Sequence, residues 1–147
     1  MDQHTQTLIA DINVAVCQLR GLYSKWAKKH NISYNEMLVF YIIREYGFCT
    51  QKQVCDSYLL PRQTINHVIA GMRKNNILCQ SKEKSRGREK AFVLTEYGKE
   101  YASPLFDSLN KMEIQAIDQL GSSKMKEMIA LIGEYGNALN RAIEEGI

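Results

Sequence analysis

One short stretch of this 147-residue sequence holds an unusual share of its charged side chains. Between Pro61 and Lys90 there are eight Lys or Arg residues and two Glu residues, which gives the stretch a charge of +6. The other 117 residues carry eleven basic and fourteen acidic side chains, a charge of −3. Because positive charge is concentrated locally, a polyanionic partner is indicated. The alternative explanation is that these charged residues form an ordinary solvent-exposed surface with no binding partner.

The first half of this stretch also offers side chains that can recognise bases. They face outward near the start of a predicted helix: Arg62, Gln63, Thr64, Asn66 and His67. In the major groove of duplex DNA, arginine can form a bidentate pair with guanine, and glutamine or asparagine with adenine. Arg73 and Lys74, near the end of the same helix, are predicted to contact phosphates, which position a protein without reading sequence.

The second half of the stretch is predicted to be a basic hairpin. Two short apolar runs, Ile77–Cys79 and 91–94, flank a polar, glycine-containing loop. The loop is longer than a two-residue turn, so we expect it to project. The cations at its tip are Lys84, Arg86 and Arg88, and such side chains suit the negative potential of a narrow minor groove.

The spacing of apolar residues predicts the elements around these side chains. Steps of three and four residues from Leu8 to Trp26 predict a first helix that ends near Lys29. Ser33 with Glu36 and Thr50 with Gln53 match capping boxes and predict two more helix starts. Two long helices follow the hairpin, the first capped by Thr95. Pro104 is predicted to kink that helix or to mark a late start. We therefore expect a mainly α fold with a small β-hairpin.

Two residue types carry further expectations. Gly71 lies inside the predicted fourth helix, where glycine costs up to about 1 kcal/mol, so we expect close packing at this position. The four cysteines, at positions 17, 49, 55 and 79, lack the spacing of a zinc site and are expected to be buried free thiols. A redox-sensing role for Cys17 is the alternative.

Two helices in tandem followed by a basic hairpin are the parts of a winged helix-turn-helix. In this order, the segments 31–47, 50–80 and 85–102 resemble the MarR family of transcription regulators. The last segment contains the wing arginine, matched by Arg88, and the motif Leu94-Thr95-Glu96-Tyr97-Gly98. Arg86 stands where the family has an aspartate, so the carboxylate that would orient Arg88 is absent and the geometry of the wing is left open.

The resemblance implies a single domain over residues 1–147. Residues 33–98 would form the winged helix-turn-helix lobe, and residues 1–31 and 100–147 the dimerisation helices. The long apolar stripes of the terminal helices also predict a homodimer, because a small lobe cannot cover them. A two-fold dimer would bind a palindromic operator.

The resemblance further implies a repressor that a small aromatic or anionic effector releases from DNA. The segments expected to line the effector pocket contribute Tyr23, Trp26, Tyr34, Met37 and Tyr41. Some relatives of this kind sense peroxide through a thiol in the first helix, with tyrosines of the second helix nearby. Cys17 and Tyr34 match that arrangement, so a redox-responsive regulator stays open as an alternative.

Other functional classes have little support in the sequence. The three histidines are far apart, and no nucleophile, phosphate-loop or paired-carboxylate motif is present, so we expect no enzymatic activity, cofactor or metal. No apolar run approaches the roughly 18 residues that span a bilayer. We expect a cytoplasmic protein without membrane contact. A protein-interaction module that binds no DNA is the alternative from another class.

Overall fold

The computed structural model describes residues 2–147, and this part of the chain forms six helices and three strands. They are α1 (Gln3–Lys29), α2 (Tyr34–Tyr46), β1 (Cys49–Thr50), α3 (Gln51–Tyr58), α4 (Arg62–Lys74), β2 (Leu78–Arg86), β3 (Glu89–Leu94), α5 (Glu96–Leu120) and α6 (Ser122–Glu144). The predicted mainly α composition with a small hairpin is confirmed. The chain packs as two compact units, one that ends at Leu105 and one formed by Phe106–Ile147.

Both predicted capping boxes are present. The Ser33 hydroxyl accepts from the Glu36 N–H at 3.1 Å, and the Glu36 carboxylate accepts from the Ser33 N–H at 2.7 Å. Thr50 and Gln53 form the same reciprocal pair at 3.1 and 2.8 Å. Each box satisfies two backbone donors that a helix start leaves without an intrahelical partner. Local sequence therefore determines where α2 and α3 begin.

Apolar side chains of α2, α3 and α4 form the core of the first unit. Its largest fully buried members include Met37, Val39, Val54, Ile65 and Met72. Gly71 does not face this core. A Cβ atom added there would meet nothing within 4 Å, so the expectation of close packing at Gly71 was wrong.

The hairpin differs from its prediction. Residues expected to form a long polar loop mostly belong to strand β2, and Arg86 pairs with Glu89 across a two-residue turn of Gly87 and Arg88. Gly87 has φ +54°, which glycine adopts without steric cost. β3 lies between β1 and β2 in an antiparallel sheet. The hairpin is thus an extended ribbon with a tight tip.

A bulge interrupts the pairing of this ribbon between Ser81 and Arg86. The Ser85 hydroxyl donates to the Ser81 carbonyl oxygen at 2.5 Å and accepts from the Ala91 N–H at 3.0 Å. A side chain therefore satisfies a β3 amide where the backbone ladder is broken. Such bulges bend and twist a strand locally.

The start of α5 is fixed against the start of the hairpin. The Thr95 hydroxyl accepts from the Gly98 N–H at 2.8 Å, which confirms the predicted cap, and donates to the Asn76 carbonyl oxygen at 2.6 Å. A Cβ atom on Gly98 would lie 2.1 Å from the Ile77 carbonyl oxygen. Only glycine allows this close approach.

Gly98→Ala is therefore expected to destabilise the protein strongly. Overpacking a buried position costs about 1–3 kcal/mol, and a clash with a backbone oxygen places this change at the upper end or beyond. Urea unfolding followed by circular dichroism will measure the loss. Gly71→Ala is the matched control, because its added methyl group meets nothing. Equal midpoints for the two variants would contradict the packing argument.

The second unit consists of the later part of α5 and all of α6. Helix α5 begins at Glu96 and continues past Pro104 to Leu120, so of the two alternatives for Pro104 the late start was wrong. Helix α6 begins after Gly121, and none of its residues is buried. Its exposed apolar side chains are Met128, Ile129, Leu131, Ile132, Tyr135, Leu139 and Ile143.

The cysteines divide into two classes. Cys49 and Cys55 are buried, whereas Cys17 and Cys79 are exposed, so the expectation of four buried thiols was wrong for two of them. Burial raises the pKa of the Cys49 thiol to about 12, and it also raises the pKa of Cys55. These two thiols are poor nucleophiles, because the thiolate is the reactive form.

Candidate nucleic-acid interface

The polar side chains of α4 lie on two different faces of that helix. At about 100° per residue, Gln63, His67 and Lys74 share the face opposite the buried Ile65 and Met72. All three are exposed. This outer face is the part of α4 that a DNA groove can reach first.

Arg62 and Asn66 lie on the flank of α4 and line a cleft of about 440 Å³. We call it the wing–helix cleft. Its other lining residues are Gln51, Lys52, Arg88, Glu89, Lys90 and Phe92. The cleft thus brings two side chains of α4 together with Arg88 of the wing turn. Thr64 is half-buried and lies on the opposite flank of α4.

Near the end of α4, the two predicted phosphate contacts are placed differently. The Arg73 guanidinium carbon lies 5.4 Å from the centre of the Phe92 ring, within the range of a cation–π contact. Lys74 lies on the outer face with Gln63. Both side chains are exposed. Arg73 is therefore held against β3, whereas Lys74 extends from the surface.

Backbone oxygens hold Arg86, the arginine that precedes the wing turn. Arg86 Nη1 donates to the carbonyl oxygens of Glu83 at 2.6 Å and Ser85 at 3.0 Å. Lys84 Nζ lies 3.7 Å from the Glu83 carboxylate and 5.9 Å from the centre of the Phe48 ring. The bonds of Arg86 are made to neutral oxygens, so its positive charge is not compensated by them.

Thr50, Gln51 and Glu89 belong to the site, but the sequence did not identify them as site residues. The Thr50 hydroxyl donates to the Glu89 carboxylate, and Gln51 Nε2 donates to the Arg62 carbonyl oxygen at 2.8 Å. These partners are 39 and 11 residues apart in the chain. The capping box identified Thr50 as a helix start, but no local signal pointed to Glu89.

The residues predicted to line an effector pocket fall into two groups. Trp26 and Met37 are buried in the core of the first unit. Tyr23, Tyr34 and Tyr41 are partly exposed. The ring centroids of Tyr23 and Tyr41 are 6.4 Å apart with an edge-on geometry.

Arginines accompany these tyrosines. The Arg44 guanidinium carbon lies 4.6 Å from the centre of the Tyr41 ring, and that of Arg20 lies 5.1 Å from the centre of the Tyr34 ring. The first unit therefore presents aromatic and cationic groups together along α1 and α2.

Within residues 2–147, no group of three or more His, Cys, Asp or Glu side chains is arranged to hold a metal ion. No helix in the same range combines the length and apolar character needed to cross a bilayer.

The sequence matches no protein-family model and no curated protein. Its fold, however, matches solved structures. A MarR family regulator from Neisseria meningitidis is 25% identical, with 100% of both chains covered and a TM-score of 0.82. NadR in complex with 4-hydroxyphenylacetate is 17% identical, with 84% of this chain and 91% of that chain covered and a TM-score of 0.70. Staphylococcus aureus MarR in complex with salicylate and kanamycin is 16% identical, with 95% of each chain covered and a TM-score of 0.69.

These matches confirm the predicted resemblance to the MarR family and the winged helix-turn-helix fold class. The neighbours are transcription regulators, which supports a regulatory role for this chain.

Proposed function

We propose that this chain, which has the fold of the MarR-family regulators, is a sequence-specific transcription regulator that binds duplex DNA as a homodimer. The observation that carries the proposal is the wing–helix cleft. There, Arg62 and Asn66 of α4 and Arg88 and Lys90 of the hairpin line one continuous surface. A helix that enters the major groove and a basic wing beside it can then contact the same stretch of duplex. In this proposal, residues 33–98 form the DNA-binding lobe.

The proposed division of roles follows the two faces of α4. Gln63 and His67, on the outer face, and Arg62 and Asn66, on the flank, would contact base edges. Arg73 and Lys74 would contact phosphates, together with Lys84, Arg86 and Arg88 of the wing. Phosphate contacts supply affinity that depends on salt, whereas base contacts supply discrimination.

Homodimer formation is proposed for the terminal helices, residues 1–31 and 100–147. Helix α1 exposes a second apolar stripe, which includes Leu8, Ile9, Val16, Leu19 and Leu22. Contiguous apolar surface of this extent marks an interface. A two-fold dimer presents two recognition helices about one helical turn of DNA apart, which predicts a palindromic operator. We propose that the dimer acts in the cytoplasm.

We further propose that the protein is a repressor and that a small-molecule effector relieves the repression. Arg20 and Arg44 lie over the rings of Tyr34 and Tyr41, so this region offers both cations and aromatic surface. That chemistry suits a small aromatic anion. Two structural neighbours were solved with such molecules, 4-hydroxyphenylacetate and salicylate. Fluorescence titration with benzoate-type acids will test whether such a molecule binds. An acid that binds but leaves the affinity for the operator unchanged would contradict the regulatory role.

A redox-responsive regulator is the second candidate, and the exposure of Cys17 favours it. Treatment with peroxide would then release the wild-type protein from DNA but leave the Cys17→Ser variant bound. Equal responses of the two proteins would exclude Cys17 as the sensor.

Selection from random duplexes will test the proposed function itself. The purified protein is expected to enrich a palindromic sequence and to bind it more weakly as salt increases. Binding to a protein partner, with no affinity for any duplex at low salt, would instead support an interaction module.

On the selected operator, Arg62→Ala and Asn66→Ala are each expected to lose about 1–3 kcal/mol of discrimination at particular base pairs. Arg73→Ala is expected to weaken binding to all duplexes by a similar factor, because a phosphate contact carries no sequence information. Competition assays with single-base operator variants will separate the two effects. If Arg62→Ala and Arg73→Ala show the same uniform loss, the assignment of base reader and phosphate contact is wrong.

A further inference from the structure

We propose that Glu89 is a positioning residue that holds the wing at a fixed distance from the recognition helix and so determines sequence discrimination. The inference rests on the DNA binding proposed above. It assigns to Glu89 an effect on DNA recognition that is exerted through the positions of other residues. Glu89 begins β3, is half-buried and lines the wing–helix cleft. It is the acidic residue among the side chains that line this cleft.

The first link runs from the wing to α3. The Glu89 carboxylate accepts a hydrogen bond from the Thr50 hydroxyl. Thr50 is 6% exposed, and its hydroxyl also caps α3 by accepting from the Gln53 N–H. A hydrogen bond to a charged acceptor in a buried setting is stronger than one on the surface. The end of β3 that adjoins the wing turn is thereby tied to the first turn of α3.

The second link runs from α3 to the recognition helix. Gln51, the first residue of α3, donates through Nε2 to the carbonyl oxygen of Arg62, the first residue of α4. The two links together join β3 to the start of α4 through side-chain hydrogen bonds. Arg88, next to Glu89 in the chain, and Arg62 therefore line the cleft at a separation that these bonds maintain.

The charge of Glu89 has a second consequence. Four cations line the wing–helix cleft with it: Lys52, Arg62, Arg88 and Lys90. A carboxylate there repels phosphate from every duplex alike, so it weakens binding that does not depend on sequence. Removing the charge should therefore tighten binding to the operator and to random duplex by a similar factor and leave the ratio of the two affinities nearly unchanged. Hydrogen bond and charge can be separated by substitution.

The experiment measures affinity for the selected operator and for a random duplex, each over a range of salt. Glu89→Ala removes both the hydrogen bond and the charge, and the ratio of the two affinities is expected to fall about tenfold. Glu89→Gln keeps an acceptor for Thr50. Its ratio is expected to stay within about threefold of wild type. Its binding to random duplex should tighten, with a salt slope steeper by up to about 1.8 for two protomers.

Three further variants control for structural damage. Glu83→Ala removes an acid from the exposed part of the same wing and is expected to leave the ratio unchanged. Thr50→Ser keeps the hydroxyl and should resemble wild type, whereas Thr50→Val should lose discrimination as Glu89→Ala does. Thermal unfolding of each protein shows whether a variant is folded at the assay temperature. If Glu89→Ala is not folded at that temperature, the affinity ratios of Thr50→Ser and Thr50→Val test the proposal instead.

Two results would overturn the inference while DNA binding stands. One is an equal ratio for Glu89→Ala, Glu83→Ala and wild type. The other is a loss in Glu89→Gln as large as that in Glu89→Ala, which would exclude positioning through Thr50. A wild-type protein that binds no duplex would overturn the proposed function instead, and the inference with it.

Discussion

A chain with glutamate in place of Leu139 is expected to sediment near 16.9 kDa, the mass of one chain, whereas the wild type should sediment near twice that mass. Leu139 lies in the apolar stripe of α6, where 48% of its surface is exposed in a single chain. In a two-fold dimer each substitution occurs twice. Burying an unpaired charge costs several kcal/mol, so the dimer dissociation constant should rise at least about a hundredfold.

Operator binding should be lost with the dimer, because two half-sites bound by one molecule give far more affinity than either alone. Ala130→Glu is the matched control, since residue 130 lies about 180° around α6 from residue 139. It adds the same charge on the opposite face and is expected to leave the dimer intact. A wild-type protein that stays a folded monomer at tens of micromolar would overturn the proposed assembly.

The second large effect is expected when the two arginines of the wing are replaced, which should change the salt dependence of DNA binding. Arg86 and Arg88 of two protomers can neutralise up to four phosphates, so replacing both with alanine should flatten the slope of log K against log salt by up to about 3.6. Affinity should fall while the preferred operator sequence stays nearly the same. The hydrogen bonds of Arg86 to its own strand fit a role through charge, because they engage Nη1 in the wing itself.

Lysine at both positions serves as the control for charge. It supplies the positive charge without the planar fork of the guanidinium, so much of the binding should be retained. A lysine variant as weak as the alanine variant would show that the wing recognises groove geometry through the guanidinium. In that case the carbonyl oxygens of Glu83 and Ser85 would be the support that orients Arg86.

Features that depend on neighbouring residues could be predicted from the sequence. The two capping boxes join residues three apart, so the starts of α2 and α3 depend only on a short segment of sequence. The apolar steps of α1 likewise follow from helix periodicity alone. These patterns involve only residues close together in the chain, so they predict the same helices whatever the rest of the fold is.

Features that depend on distant partners could not be predicted. The ribbon from Ser81 to Arg86 is polar throughout and lacks the apolar alternation that predicts a strand, so its sequence predicts a loop. Its pairing with β3 and the Ser85 hydroxyl determine its shape. The contact between Thr50 and Glu89 spans 39 residues. The flank of α4 that faces the wing could not be predicted either, because Arg62 and Asn66 line their cleft together with residues of α3 and the hairpin.

The bulge in β2 has a consequence for solubility. In the order β1-β3-β2, β2 is an edge strand, and a long, regular edge can add strands from other copies of the chain and so lead to aggregation. Here the break between Ser81 and Arg86 disrupts the edge, and Lys82 and Lys84 place like charges along it. The opposite edge, β1, is only two residues long. The wing can therefore extend from the protein surface without becoming a template for intermolecular sheets.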